Sequence, residues 1–395
     1  MNAAEPKLCF SREEFRARLE KSWASMQRHG LDLLIVSDPA NMAWITGYDG
    51  WSFYVHQCVL VPLGEEPIWF GRMQDVQGAY RRTYLPHDRV VGYQDHYVQS
   101  IDRHPMDCLA AVIGERGYAK GAIGMEFDNY FCSAAAHLSL EKHLPNAIIT
   151  DATYLVNWLR VVKSPAEIGY MRSAARIIEG VFERVRTVMK PGMRQCDLVA
   201  EIYDAAIRGK GEHWGDYTAI VPLIGAGPEA AAPHLTWTDE ALRANEGIFL
   251  ELAGAHRRYH CPMSRTFYIG KPDQKFRDTE KAVREGLEAG LEKAKPGNTC
   301  EDIAVAFYTA IEHRGLKKES RTGYSIGLSY PPDWGEHTMS LRRGDHTELR
   351  PGMAIHFMPG LHFGDWGFQI TESILITPNG HECLANVPRE ILVID

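Results

Sequence analysis

Residues 160–168 read RVVKSPAEI and contain the clearest helix start in the chain. Ser164 can cap a helix, Pro165 suits its first position, and Glu167 follows at the spacing of a capping box. Apolar residues then recur on one helical face, at Ile168, Met171, Ala175 and Ile178. This stretch therefore predicts a long amphipathic helix that opens a new domain.

Helix and strand patterns alternate in the residues before this start. Ser11 and Glu14 form a capping box for an amphipathic helix, which Gly30 ends. Another helix pattern begins at Pro39, and short apolar runs read as strands at 31–36, 58–63 and 122–127. We predict an α/β domain with a mixed or parallel sheet over 1–160 and a second domain over 161–395.

The second domain contains a weak internal repeat. Lys190-Pro191-Gly192 precedes one helix pattern, and Lys295-Pro296-Gly297 precedes another 105 residues later. Strand-like sequence follows both copies, at 247–254 and 264–270 and then at 325–330, 353–358 and 369–377. Two similar helix entries can also arise by chance. We expect a pseudo-twofold α/β domain in which two helices support each half of a curved antiparallel sheet, whose concave face can hold a small ligand.

Composition excludes several classes of protein. The 395 residues include 43 Lys and Arg and 51 Asp and Glu, a net charge of −8 that disfavours nucleic-acid binding. We find no apolar run long enough to span a bilayer and no secretory signal. The eight cysteines include no C-x-x-C pair and are expected to be free thiols in a reducing compartment, the cytoplasm.

Several segments together resemble the creatinase, prolidase and methionine-aminopeptidase superfamily. Besides 160–168, they are Pro233-His234 and residues 264–267, 323–328 and 351–360. The resemblance implies a creatinase-type α/β domain followed by a catalytic domain with the pita-bread fold. Within the superfamily, residues 47–54 and 103–107 are most similar to those of ectoine hydrolases.

Five positions depart from the superfamily's metal ligands. Peptidases of the family hold two divalent metals with two Asp, one His and two Glu, and the corresponding residues here are Glu251, Pro262, Tyr324, Met358 and Thr371. One carboxylate cannot replace that set of hard ligands. We therefore expect no metal and no other cofactor. A shifted alignment is the alternative, in which a one-metal site is rebuilt from Glu336, His337 and Glu372.

A metal-free site suits a substrate that carries its own positive charge. In a cyclic amidine, the charge lies at the electrophilic carbon, and a carboxylate in apolar surroundings such as Glu251 would be stabilised by that cation. Glu251 could attack this carbon or activate a water molecule, and the sequence leaves both roles open. His234 is the predicted proton carrier. The predicted reaction opens the ring of ectoine and gives N-acetyl-2,4-diaminobutyrate.

Further residues are predicted to contact the substrate. Tyr324 and Glu372 lie on predicted strands, while Glu336 and His337 lie in 331–337, which reads as a rigid loop. The aromatic residues of 47–54 suggest a lid: Tyr48, Trp51, Phe53 and Tyr54. In creatinase relatives this segment reaches the partner's active site, so the resemblance implies a homodimer.

Other functions remain open at this point. One alternative is a creatinase-like or Xaa-Pro dipeptidase-like hydrolase that cleaves a C–N bond in another small substrate. Another is a non-catalytic protein that kept the fold for binding. An acetylated product would also need a deacetylase downstream.

Overall fold

The computed structural model describes residues 6–395, and these form two compact units. One unit ends at Arg160, and the other runs from Val161 to Asp395. No helix in the described part of the chain combines the length and apolar character needed to cross a membrane.

The first unit is a mixed sheet with helices packed around it. Its elements in chain order are α1 (Arg12–His29), β1 (Leu33–Val36), α2 (Pro39–Thr46), β2 (Cys58–Pro62), β3 (Ile68–Arg72), α3 (Val76–Arg82), β4 (Val90–Tyr93), α4 (Pro105–Glu115), β5 (Ala122–Met125), α5 (Ala134–His143), β6 (Ile148–Asp151) and α6 (Leu155–Arg160). The six strands are ordered β4-β3-β2-β1-β5-β6. Parallel pairs such as β1 with β5 combine with antiparallel pairs such as β1 with β2. The predicted mixed α/β sheet is confirmed.

Local signals determine the ends of α1. The Ser11 side chain accepts a hydrogen bond from the Glu14 amide, and Gly30 adopts the left-handed conformation that ends the helix. The predicted strands at 31–36, 58–63 and 122–127 correspond to β1, β2 and β5.

The second unit is built on a nine-stranded sheet. Its elements are α7 (Pro165–Val188), α8 (Gln195–Arg208), β7 (Leu223–Ala226), β8 (Glu246–His256), β9 (Tyr259–Ile269), α9 (Gln274–Lys293), α10 (Cys300–Glu312), β10 (Gly323–Tyr330), β11 (Asp333–Ser340), β12 (Ala354–Phe357), β13 (Gly360–His362), β14 (Gly367–Gln369), β15 (Glu372–Thr377), β16 (Gly380–Cys383) and β17 (Leu392–Ile394). The main path is β16-β15-β12-β10-β9-β8-β7, and every pair along it is antiparallel. Ser164 and Glu167 form the capping box of α7, as predicted.

The internal repeat corresponds to two similar halves of this unit. Helices α7 and α8 pack together, as do α9 and α10. Gly192 and Gly297 occupy equivalent turns before α8 and α10, with φ angles of 83° and 86°. Glycine suits both turns because other residues rarely adopt this left-handed conformation. The predicted fold, two helices for each half of an antiparallel sheet, is confirmed.

The prediction of a loop at 331–337 is wrong. Pro331 and Pro332 form the turn between β10 and β11, and the strand begins at Asp333. Trp334 is fully buried on this strand. The Pro-Pro pair suggested a rigid loop, whereas the buried indole and the pairing with β10 extend the sheet to Ser340.

Candidate active site

Glu251 lies in the middle of β8, opposite Ser264 of β9. Only 4% of its surface is exposed. In residues 6–395, its carboxylate has neither a hydrogen-bond donor nor a cation at ion-pair distance. Burial raises the pKa of Glu251 to about 7, while the positive charge of Lys318 acts in the opposite direction. This carboxylate is therefore poised between its neutral and ionised forms near neutral pH.

Lys318 precedes β10, and its half-buried side chain directs the ammonium group toward the same region. Its Nζ atom donates a hydrogen bond to the carbonyl of Gly360, at 2.8 Å. Burial lowers the pKa of Lys318 to about 8, and the negative charge of Glu251 opposes that shift. The site therefore contains two opposite charges that influence each other.

A chain of side-chain hydrogen bonds borders Glu251. The Ser264 hydroxyl donates to Gln369 Oε1 at 2.5 Å, and Gln369 Nε2 donates to His362 Nε2 at 3.2 Å. His362 Nδ1 donates in turn to the carbonyl of Ala230, at 2.9 Å. This arrangement requires a neutral His362 with its proton on Nδ1, and burial indeed lowers the pKa of that imidazole.

A second chain connects two of the positions where the superfamily has metal ligands. Trp334 Nε1 donates to the Tyr324 hydroxyl at 2.7 Å, and this hydroxyl faces His356 Nδ1 at 3.3 Å. His356 Nε2 then lies within hydrogen-bond distance of Thr371 Oγ1, at 2.8 Å. Burial lowers the pKa of His356 to about 3, so the imidazole is neutral at neutral pH. Tyr324 and Thr371 are thus joined by uncharged groups.

Two of the glutamates predicted to contact the substrate have protein cations as partners. Glu336 pairs with Lys163 at 2.5 Å, and both side chains are 1% exposed. Glu372 Oε1 contacts Arg265 at 2.7 Å and Arg389 at 3.0 Å. Both carboxylates are therefore held by protein cations, and their contact with substrate stays a prediction.

The two predicted histidines lie in more open surroundings. His234 occupies an exposed turn after β7, and its charge acts on His362. His337 has a φ angle of 56°, and its Nε2 atom lies 3.1 Å from Asp333 Oδ2. Asp333 also acts electrostatically on Glu251. The catalytic role of His234 and the binding role of His337 stay predictions.

The predicted aromatic lid belongs to the first unit. Tyr48 is buried there against Trp69, and its hydroxyl lies 2.6 Å from Ser52 Oγ. This residue therefore belongs to the core, because its ring packs inside and its polar atom is satisfied. By contrast, Trp51 and Tyr54 are 58% and 64% exposed, and the half-buried ring of Phe53 contacts that of Trp51.

Sequence reasoning missed Lys318 and His362. Lys318 stands in a Lys-Lys-Glu run at 317–319, which reads as a solvated charged segment. His362 lies on the short strand β13, beyond the sequence motifs that indicated the site. A prediction of the contacts of β13 and β14 would have been needed to find either residue.

The chain belongs to metallopeptidase family M24, whose sequence model matches residues 169–378. The model of the creatinase/prolidase N-terminal domain matches residues 18–162. Ectoine hydrolase from Halomonas elongata is 53% identical over 98% of both chains. A probable dipeptidase, PepE, from Mycobacterium tuberculosis is 30% identical over 62% of this chain and 63% of that protein.

Solved structures share the fold. Dipeptidase PepE from Mycobacterium ulcerans superposes with a TM-score of 0.80 and 23% identity, over 97% of this chain and 99% of that one. Prolidase from Thermococcus sibiricus has a TM-score of 0.83 and 18% identity, over 96% and 99%. These structures support the fold assignment alone, which agrees with the predicted two-domain architecture.

The family name implies metal ions, but the donors in this chain do not fit a two-metal site. Of the five positions that the resemblance assigns to metal ligands, only Glu251 provides a carboxylate, and the side chains of Tyr324 and Thr371 are joined through His356. Pro262 has no side-chain donor atom, and Met358 offers a soft thioether. Within residues 6–395, no group of three or more His, Cys, Asp or Glu side chains is arranged to hold a metal.

Proposed function

We propose that the protein is an ectoine hydrolase that uses water to open the cyclic amidine ring, without a metal ion. The product is N-acetyl-2,4-diaminobutyrate. The buried Glu251 carboxylate, which contacts no donor or cation among residues 6–395, is the observation that carries this proposal. The 53% identity to the ectoine hydrolase of Halomonas elongata supports the choice of substrate.

The electrostatics favour a cationic substrate. A buried carboxylate without a partner is unfavourable, and an amidinium beside Glu251 would supply both opposite charge and hydrogen-bond donors. Binding would therefore lower the pKa of Glu251 from about 7 and hold it ionised. The substrate itself thus completes the ion pair that the site lacks.

Two routes lead to the same product. In one, a Glu251 oxygen bonds to the amidine carbon, a ring C–N bond breaks as its nitrogen takes a proton, and water releases the adduct. In the other, Glu251 takes a proton from water, whose oxygen bonds to that carbon before the same C–N bond breaks. His234 is the proposed proton donor to the leaving nitrogen.

The two routes differ in whether substrate becomes attached to the protein. Acid quenching during turnover, followed by mass spectrometry of the intact chain, would detect the adduct of the first route. Its peptide would contain Glu251. An unmodified chain at every quench time, with turnover in progress, would favour the general-base route.

We also propose a cytoplasmic homodimer. None of the eight cysteines forms a disulfide in the described part of the chain, which suits a reducing compartment. The exposed rings of Trp51 and Tyr54 suit a segment that covers a neighbouring subunit's site. A monomer in sedimentation equilibrium at assay concentration would contradict the dimer. The acetylated product would then be a substrate for a separate deacetylase.

A substrate panel tests the proposed function. The protein is incubated with ectoine, hydroxyectoine, creatine and Xaa-Pro dipeptides, and products are identified by mass spectrometry. We expect a product of ectoine mass plus one water. Hydrolysis of creatine or dipeptides without turnover of ectoine would instead support another C–N hydrolase, and a panel without products would support a binding protein.

A further inference from the structure

Lys318 is a half-buried cation that makes no ion pair with the described residues. The salt bridges of residues 6–395 do not include it, and its hydrogen bond to the Gly360 carbonyl uses one of its three N–H groups. Two donors are therefore left for a ligand. Glu251, the other unpaired charge of this region, has the opposite sign.

We propose that Lys318 binds the carboxylate of the substrate, so that the site recognises a zwitterion with its cationic end at Glu251. This inference rests on the proposed function and deepens it, since ectoine carries both an amidinium and a carboxylate. A buried carboxylate and a half-buried ammonium group that do not pair directly are unfavourable when the site is empty. A ligand with complementary charges at both ends would satisfy them together.

Successive contacts connect the two charged residues. The carbonyl that holds Lys318 belongs to Gly360, which pairs with Gln369 across β13 and β14. Gln369 accepts a hydrogen bond from Ser264, the residue opposite Glu251. The two charges therefore border the same small group of residues, and one compact ligand can reach both.

Other cations near this group already have partners. Arg265 is fully buried and donates to Glu372 and to the carbonyl oxygens of Val387 and Pro388. Arg321 stacks on the ring of Tyr324, at 4.5 Å, and donates to Ser340. Lys318 is consequently the better candidate for binding an anionic group.

The experiment compares ectoine with the same cyclic amidine lacking its carboxylate. In the wild-type protein, we expect kcat/KM to favour ectoine by about 100-fold, the size of a desolvated charged contact. Lys318→Met should remove most of this preference by lowering kcat/KM for ectoine alone. Any effect of the substitution on the ionisation of Glu251 would lower kcat/KM equally for both substrates. The ratio of the two kcat/KM values therefore isolates the carboxylate contact.

Lys317→Met is the matched control, because the Lys317 side chain is 73% exposed and pairs with Glu319. It should keep the wild-type preference. The inference would be overturned if Lys318→Met lowered kcat/KM equally for both substrates. It would also be overturned if the wild-type protein showed no preference for ectoine over the carboxylate-free amidine. If Lys318→Met does not fold, Lys318→Gln takes its place in the same comparison.

Failure of the proposed function gives a different result. In that case the wild-type protein would not hydrolyse ectoine. The inference would then be tested by calorimetric binding of ectoine and of the carboxylate-free amidine to the wild-type protein and Lys318→Met. Loss of ectoine affinity in the variant would support it, and unchanged affinity would overturn it.

Discussion

Three buried glutamates of the second unit have different partners. Glu336 faces Lys163, and Glu372 faces Arg265 and Arg389, whereas Glu251 has no cation at ion-pair distance among the described residues. Paired buried carboxylates stabilise structure only when their partners remain. Glu251 is therefore the carboxylate best placed to act on a ligand.

Glu251→Gln tests this role with almost no change in shape. An amide is neither a nucleophile nor a base in this chemistry, so we expect kcat for ectoine to fall by about 1,000-fold or more. The fold should persist because no ion pair is broken. Steady-state kinetics and thermal unfolding measure the two effects, and a variant with near-normal kcat would contradict the mechanism.

The raised pKa of Glu251 predicts an acidic limb in the activity. Because the ionised Glu251 and the protonated Lys318 are both required, kcat/KM for ectoine should rise with pH up to about 7 and fall again above about 8. A pH profile of the free enzyme's kcat/KM measures this. An activity that stays constant down to pH values near the ordinary carboxyl pKa would argue against Glu251 as the essential base or nucleophile.

The same shift predicts a pH-dependent stability. The folded protein keeps the Glu251 proton up to about pH 7, whereas the unfolded chain releases it near 4.5. This contribution to the free energy of unfolding therefore falls as pH rises between these values, by roughly 3 kcal/mol in total. Denaturant unfolding should show Glu251→Gln gaining stability relative to wild type over this range. A constant difference would contradict the shift.

At the scale of elements, the strands β10, β12 and β15 position groups around Glu251. Tyr324 pairs with His356 across β10 and β12, and Thr371 immediately precedes β15. A neutral imidazole joins Tyr324 and Thr371, two positions that the resemblance assigns to metal ligands. Tyr324, His356 and Thr371 act together, because each polar atom in this chain of hydrogen bonds satisfies its neighbour.

Tyr324→Phe should destabilise the second unit. The buried Trp334 N–H would lose its acceptor, at a cost of about 1–3 kcal/mol in the free energy of unfolding. Chemical denaturation measures the loss. The double variant with Trp334→Phe should lose less than the sum of the two single variants, and strict additivity would show that this hydrogen bond contributes nothing.

Local sequence signals predicted about half of the helices and strands of the described residues. Ser164 and Glu167 form their capping box because both partners lie within one turn, so no distant contact is needed. The β11 strand was missed for the opposite reason. Its pairing with β10 and the burial of Trp334 depend on the packed sheet, which a Pro-Pro turn does not reveal.

In the whole molecule, the order of the motifs along the chain predicted the two-domain fold. The motifs also predicted that the residues at the family's metal-ligand positions differ from the usual ligands. Glu251 was identifiable because it occupies a motif position on β8. Lys318 and His362 were not, because they approach the site through tertiary contacts with Gly360 and Gln369. Sequence thus indicated the acidic part of the site but not its cationic part.

The most direct test of a metal-free ectoine hydrolase measures metal content and turnover in the same sample. The protein is treated with a strong chelator, dialysed, and analysed by elemental mass spectrometry beside an ectoine assay. We expect full activity with far less than one zinc, manganese, cobalt or iron ion per chain, and no gain when these ions are added. Loss of activity on chelation, restored by one of these metals bound stoichiometrically, would contradict the account.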